Sequence, residues 1–242
     1  MPNSNHFTIL ITSYNCAHWV EKSLQSVHAQ EYKNFNVSYI DDNSTDATYE
    51  KAKKFSDFKV IKNSFNKGKM FNMYNEISNL RDDTIVVILD GDDWLYDSKV
   101  LQRLNDVYID DVWMTNGSYI VEPSKQVVSS RAKGDYWSGN FRRDKSWEFS
   151  HLGSFRKKLF DKIKKKHFVD NRGQFWSTTS DQAIMWPMAE MAGPKHHRVI
   201  NDVLYVYNRL NPLSDDRVHR TDQLQTERTI RTIKPYERLQ SL

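Results

Sequence analysis

Residues 84–94 read TIVVILDGDDW. The first six are nearly all apolar, as a strand buried on both faces requires, and Asp90-Gly91-Asp92-Asp93 follows as an acidic turn at its carboxyl end. A strand covered on both faces needs helices on both sides of its sheet, and the preceding residues supply them. Residues 7–12 (FTILIT) form a β-rich run, after which Ala17, Val20, Leu24 and Val27 recur at helical spacing. Residues 35–40 give a second strand, a polar turn at residues 41–46 gives a capping signal, and a helix begins near Ala47. Residues 58–61 form a third short strand, and Met70, Met73, Tyr74, Ile77 and Leu80 form another helical stripe. This alternation predicts an α/β fold with a mostly parallel central sheet and crossover helices.

The second half is less regular. Residues 97–107 read as a helix, residues 112–121 and 126–130 as strands, and residues 155–166 as a basic helix. Residues 182–191 read as a helix with Pro187 inside it, and residues 203–207 as a short strand. The stretch 133–150, rich in Gly, Trp, Asp and Arg, reads as a functional loop or lid. With no repeat and no linker, one domain is expected: residues 1–96 read as a nucleotide-binding half, residues 97–215 as a smaller mixed half, and residues 216–242 as a tail.

Composition narrows the function. Of 242 residues, 38% are hydrophobic and 13% aromatic, enough for a core, while a net charge of +4 permits a nucleic-acid partner without demanding one. The single cysteine excludes an internal disulfide and a Cys-rich zinc site. No apolar run is long enough to cross a bilayer, and MPNSNHFTIL lacks the layout of a signal peptide. The expectation is a soluble cytoplasmic protein, with peripheral membrane association and a homo-oligomer both open.

Ligands of an open parallel sheet bind beyond the carboxyl ends of its strands. Three polar clusters fall there: Thr12-Ser13-Tyr14-Asn15, Asp41-Asp42-Asn43 and Asp90-Gly91-Asp92-Asp93. Carboxylates converging on one cleft repel one another unless a cation compensates, and hard oxygen donors suit Mg²⁺ or Mn²⁺ holding a diphosphate. No G-x-G-x-x-G follows the first strand and no Walker lysine is present, which removes the dinucleotide and P-loop classes.

Residues 7–48, then NKGKMFNMYN (66–75), then VVILDGDDW (86–94), resemble the family 2 nucleotide-sugar glycosyltransferases of GT-A fold. The resemblance implies transfer of a sugar from a nucleotide diphosphate, often UDP, with inversion at the anomeric carbon. It implies that Thr12 and Tyr14, with Asn15, hold the nucleobase and that Asp41 reads the uracil edge, with Asp42 in the same nucleotide-sugar-binding set. Asp90 is implied to contact the ribose beside Gly91, and Asp92 to ligate the metal with support from Asp93. Gly68 matches the glycine of the loop that approaches the nucleotide, where Lys69 and Met70 depart from the usual small residues. From SHLGSFRKKLF (150–160) and STTSDQAIMWPMAEMAG (177–193) it implies Asp181 as the general base. Trp176, His151, Arg209 and His219 are candidates for acceptor or diphosphate contacts.

The expected acceptor is a glycan or lipid-linked glycan. A second reading places a hydroxymethylated pyrimidine of viral DNA there, from the lysine-rich RKKLFDKIKKK, the basic tail and the interspersed Trp137, Trp147 and Trp176. A third is a degenerate domain that only binds, against which stand Asp41, Asp90, Asp92 and Asp181.

Overall fold

The computed structural model describes residues 4–109, 111–149 and 151–242; Met1–Asn3 and Ser150, which figure in the readings above, lie outside them. Strands β1 (Phe7–Ser13), β2 (Phe35–Asp41), β3 (Lys59–Lys62) and β4 (Ile85–Asp90) alternate with helices α1 (Val20–His28), α2 (Thr48–Ala52) and α3 (Lys69–Ser78). They lie in the order β3-β2-β1-β4, all parallel. The period of two along β1 sorts its side chains: Phe7, Ile9 and Ile11 enter a core with α1, and Leu10 enters another with α3. Both faces are therefore dry, as the apolar runs of β1 and β4 require.

The second half continues the same sheet. It contains β5 (Trp94–Leu95), α4 (Val100–Val107), β6 (Met114–Glu122), β7 (Gln126–Ser129), α5 (Phe141–Asp144), β8 (Gly153–Arg156) and α6 (Lys157–Phe160). Then come α7 (Ser180–His196), β9 (His197–Asn208), α8 (Asp215–Val218) and α9 (Arg220–Thr232). The order runs on from β4 as β8-β6-β9-β5, with β7 paired to β6. β8 is antiparallel to both β4 and β6, so the sheet changes character at that strand.

Here the structure departs from the sequence expectation. The helix expected over residues 155–166 is a strand, one helical turn and a short 3₁₀ turn at Lys165–His167. The apolar residues of this segment, Phe155, Leu159, Phe160 and Ile163, are all buried in one core by this broken path. Phe155 must sit in the sheet because β4 and β6 are bridged only through β8. The short strand expected at residues 203–207 is the end of the twelve-residue β9. Pro187 does not end α7; the helix continues to Gly193, whose φ of 60° breaks it. The loop over residues 133–149 is packed by its own rings, with Tyr136, Trp137, Phe141 and Phe149 buried in mutual contact.

That loop is bolted to α7 by charge. Arg142 is 1% exposed and its guanidinium donates to the Glu190 carboxylate, which also accepts from the backbone N–H of Tyr236 at 2.9 Å. Arg231 of α9 donates to the Lys145 carbonyl at 2.9 Å, so the tail closes the same joint. Glu190→Ala leaves a guanidinium buried without its counter-charge, and the expected loss is about 3 kcal/mol in urea unfolding. An unchanged unfolding midpoint would mean that the pair is open in solution.

Candidate functional site

Strand register builds the site. Ser13 lies beside Asp41, and Thr12 lies beside both Ile40 and Asp90, so the three polar clusters meet at one edge. The turns are stitched together: the Asp42 N–H donates to the Ser13 carbonyl at 2.8 Å and the Gly91 N–H to the Thr12 carbonyl at 3.1 Å. At Gly91 the close neighbour is this strand itself. A Cβ there would stand 2.5 Å from that of Ser13, so the glycine lets β1 and the acidic turn touch.

Beyond β1 and β2, Asn15 accepts from the Thr45 N–H at 2.9 Å while its own N–H donates to the Ser44 hydroxyl at 2.9 Å. Tyr14 remains half-exposed on this rim. Asp41 is fully buried; one oxygen accepts from the Ser44 N–H at 3.2 Å, and the other has no hydrogen-bond partner among the described residues. Asp42 is fully engaged. It accepts from the Asn63 side chain at 2.7 Å, the Lys67 N–H at 2.9 Å and the Gly68 N–H at 2.8 Å, and so holds the loop that leads into α3. Gly68 turns into that helix with a φ of 84°, a region that L side chains rarely adopt.

The acidic turn splits its carboxylates between two tasks. Asp93 is 1% exposed, accepts from the Tyr205 hydroxyl and takes the Asn208 N–H at 2.7 Å, so it clamps β9. Burial and then the charges of Asp92 and Asp90 push its carboxyl well above the usual range. Asp92 accepts at one oxygen from the neutral Asn211 amide at 2.7 Å; burial and the neighbouring Asp90 raise it as well. Asp90 differs. Burial alone would raise it, but the Lys69 ammonium, hydrogen-bonded to it, and His151 outweigh that and hold it below the carboxylate range.

Asp90 and Lys69 line a cleft with Asp181, His151, Trp147 and Phe149. Asp181 is the second residue of α7, not its cap. The cap position is Thr179, held in the left-handed region at φ 62°, and it makes no side-chain cap bond. Burial pushes Asp181 above the carboxylate range, and Lys69, the Gln182 N–H and His151 offset only part of that. The His151 ring stacks on Tyr205 at 4.7 Å; burial lowers its imidazole against the pull of Asp90 and Asp181.

Thus Asp90, His151 and Asp181, far apart in sequence, share one cavity. Trp176, Arg209 and His219 are not among its lining residues. The Trp176 indole donates to the His167 carbonyl at 3.0 Å, and His219 faces Asp222 at 3.8 Å. Trp137, expected to interleave with cationic loops, is instead 8% exposed inside its own loop. Trp147 and Phe149 were hidden as lining residues because nothing in an aromatic-rich loop marks which rings face a cavity. Lys69 carried a signal: a cation in a helix's first turn opposes the helix dipole and needs another partner.

For a divalent ion, no group of three or more His, Cys, Asp or Glu stands ready among the described residues. With both oxygens of Asp93 engaged, Asp92 is the carboxylate of the expected pair that retains capacity. One carboxylate completed by ligand phosphate oxygens and water is a common way of holding Mg²⁺, and the electrostatic cost at Asp92 is of the kind a cation relieves. The residues fit an ion that arrives with a diphosphate.

A family model described as Glycosyl transferase family 2 matches residues 8–174. Among curated proteins, the Escherichia coli UDP-Glc:alpha-D-GlcNAc-diphosphoundecaprenol beta-1,3-glucosyltransferase WfaP is 27% identical over 117 residues, 48% of this chain and 46% of that protein. Glycosyltransferase GlyA of Streptococcus pneumoniae serotype 4 is 26% identical over 159 residues, 64% of this chain and 20% of that protein. The chain spans less than half the length of these relatives. Among solved structures, S. aureus TarS 1–349 in complex with UDP-GlcNAc superposes with a TM-score of 0.70 at 16% identity, covering 93% of this chain and 65% of that one. The mannosyltransferase PcManGT from Pyrobaculum calidifontis, in complex with GDP-Man and Mn²⁺, gives 0.61 at 19% identity, with 97% and 66% coverage. At these identities the structural likeness carries the GT-A fold alone.

Proposed function

The chain belongs to glycosyl transferase family 2, and on that premise we propose that it moves a sugar from a UDP-sugar to a hydroxyl of a lipid-linked glycan, with inversion at the anomeric carbon. The observation that carries this reading is the cleft in which Asp181 and Asp90 share one cationic neighbour, Lys69, beside the acidic turn. The unpartnered oxygen of Asp41 favours a base that offers an N–H, as uracil does. Tyr14 and Thr12 flank that base, Asp90 takes the ribose hydroxyls, and Asp92 faces the diphosphate. A bound Mn²⁺ or Mg²⁺ supplies positive charge for the departing diphosphate.

Asp181 takes the proton of the acceptor hydroxyl as its oxygen attacks the anomeric carbon from the face opposite the diphosphate. The bond to the diphosphate breaks, and its electron pair leaves with UDP. A single displacement inverts the centre. Lys69 favours the ionised form of both carboxylates, and the rings of Trp147 and Phe149, inclined at 62° to each other, line the cleft for the acceptor sugar. The lipid-linked class is favoured by the activity that the Escherichia coli relative WfaP is named for. No helix among the described residues is long and apolar enough to cross a membrane.

The test is thermal stabilisation by UDP-Glc, UDP-GlcNAc and GDP-Man, each with and without Mn²⁺. A UDP-sugar present at about a hundred times its Kd adds about 2.7 kcal/mol, and the gain is expected only with metal. No shift with any of the three would overturn the reading.

A further inference from the structure

Outside the cleft, one surface joins an exposed aromatic ring and two half-buried ones to cations in a continuous chain. Phe65, at the tip of the loop before α3, is 61% exposed. Lys67 lies 5.5 Å from its ring centroid and 5.2 Å from that of Phe71. Phe71 meets Phe175 edge-on at 5.5 Å, and Lys165 stands 5.7 Å from Phe175. Lys164, Lys165 and Lys166 are all exposed. Among the described residues none of these four lysines has a carboxylate within ion-pair distance. The nearby acids are engaged elsewhere, Asp170 with Arg172 at 3.0 Å and Asp161 with Lys157 at 2.8 Å. The surface borders the cleft on two sides: α3 begins with Lys69, and the segment after Phe175 leads into α7 and Asp181.

We propose that this Phe65–Lys67–Phe71–Phe175–Lys165 surface docks the enzyme on an anionic lipid bilayer, with the cleft at the membrane edge. An exposed ring with one lysine ammonium over it and further lysines along the same surface matches the layered chemistry of a bilayer, where the ring enters the acyl boundary and the ammoniums meet headgroup phosphates. Lysine stems lie along apolar surface and keep their heads free, which suits a fluid array of phosphates. A nucleic-acid groove favours arginine forks, and the arginine of this segment, Arg172, is spent on Asp170. The proposal takes its purpose from the lipid-linked acceptor reading, but docking is measured without transfer.

The experiment is co-sedimentation of the full chain with vesicles of 1:1 phosphatidylglycerol and phosphatidylcholine, and with phosphatidylcholine alone, at 0.1 M salt. Binding is expected to the first only, and to fall as salt rises. Replacing Lys164, Lys165 and Lys166 together by Ser lowers the partition coefficient about a hundredfold, since each lysine near the surface contributes roughly fivefold. Phe65→Ser lowers it about tenfold. Both variants keep the thermal stability of the parent chain and the lysine variant also keeps its UDP-sugar response, which separates lost docking from lost folding. Equal sedimentation of parent and variants, equal binding to both vesicles, or displacement by a DNA duplex would each overturn the proposal. A chain that binds vesicles as expected but no UDP-sugar would leave docking standing and overturn the transferase reading instead.

Discussion

Asp181→Asn lowers the turnover of sugar transfer by about 10³-fold while the affinity for UDP-sugar and metal stays within a factor of two or so of the parent. The amide is isosteric and cannot take a proton, so only the step that deprotonates the acceptor is lost. The pH profile provides a second readout. A base must be ionised to act, and burial raises Asp181, so turnover climbs with pH through a value above the ordinary carboxylate range and is flat beyond it. Lys69 pulls that value down, and Lys69→Met therefore moves the acidic limb of the profile to higher pH. A Lys69→Met profile that moved to lower pH, or an Asp181→Asn chain that turned over normally, would remove Asp181 from the role of base.

Asp92→Ala abolishes the dependence of nucleotide binding on Mn²⁺ and lowers kcat/KM by about 10³-fold, the several kcal/mol of charge stabilisation that a divalent ion supplies to a departing diphosphate. Titration of Mn²⁺ in the presence of UDP, followed calorimetrically, separates this from a folding defect. Among the described residues the Asp92 carboxylate holds a side-chain amide, whereas Asp93 grips β9, so the Asp92 variant is expected to keep its unfolding midpoint. Retention of metal-dependent UDP binding by Asp92→Ala would move the ion to another ligand.

How much of this was legible in the sequence depended on how strongly each segment's local chemistry agreed with its place in the fold. The apolar run 85–90 and the period-two pattern of 7–13 are strands for local reasons, because no other element buries two faces in six residues. β8 was opaque: Gly153-Ser154-Phe155-Arg156 has one large apolar side chain and is a strand because β4 and β6 lie on either side of it. β5, at two residues, is defined by β9 alone. At the site, the convergence of Thr12, Asp41 and Asp90 follows from parallel order and could be read in advance. The division of labour within Asp90-Gly91-Asp92-Asp93 could not, because it is imposed from two distant places, by Lys69 at the start of α3 and by Tyr205, Asn208 and Asn211 around the end of β9.

The direct passage of α7 into β9 has a bearing on redesign. Residues 180–208 form one beam, bent at Gly193 but with no loop between helix and strand, that carries Asp181 at one end and the partners of Asp93 at the other. Exchanging part of that beam with a relative would shift one carboxylate against the other by the full change in rise or kink. The aromatic loop over residues 133–149 packs on its own rings and joins the beam at the Arg142–Glu190 bolt. On the proposed function, exchanging this loop is expected to change acceptor choice while the spacing of Asp181 and Asp93 is kept, which a screen of acceptors against loop chimaeras would check.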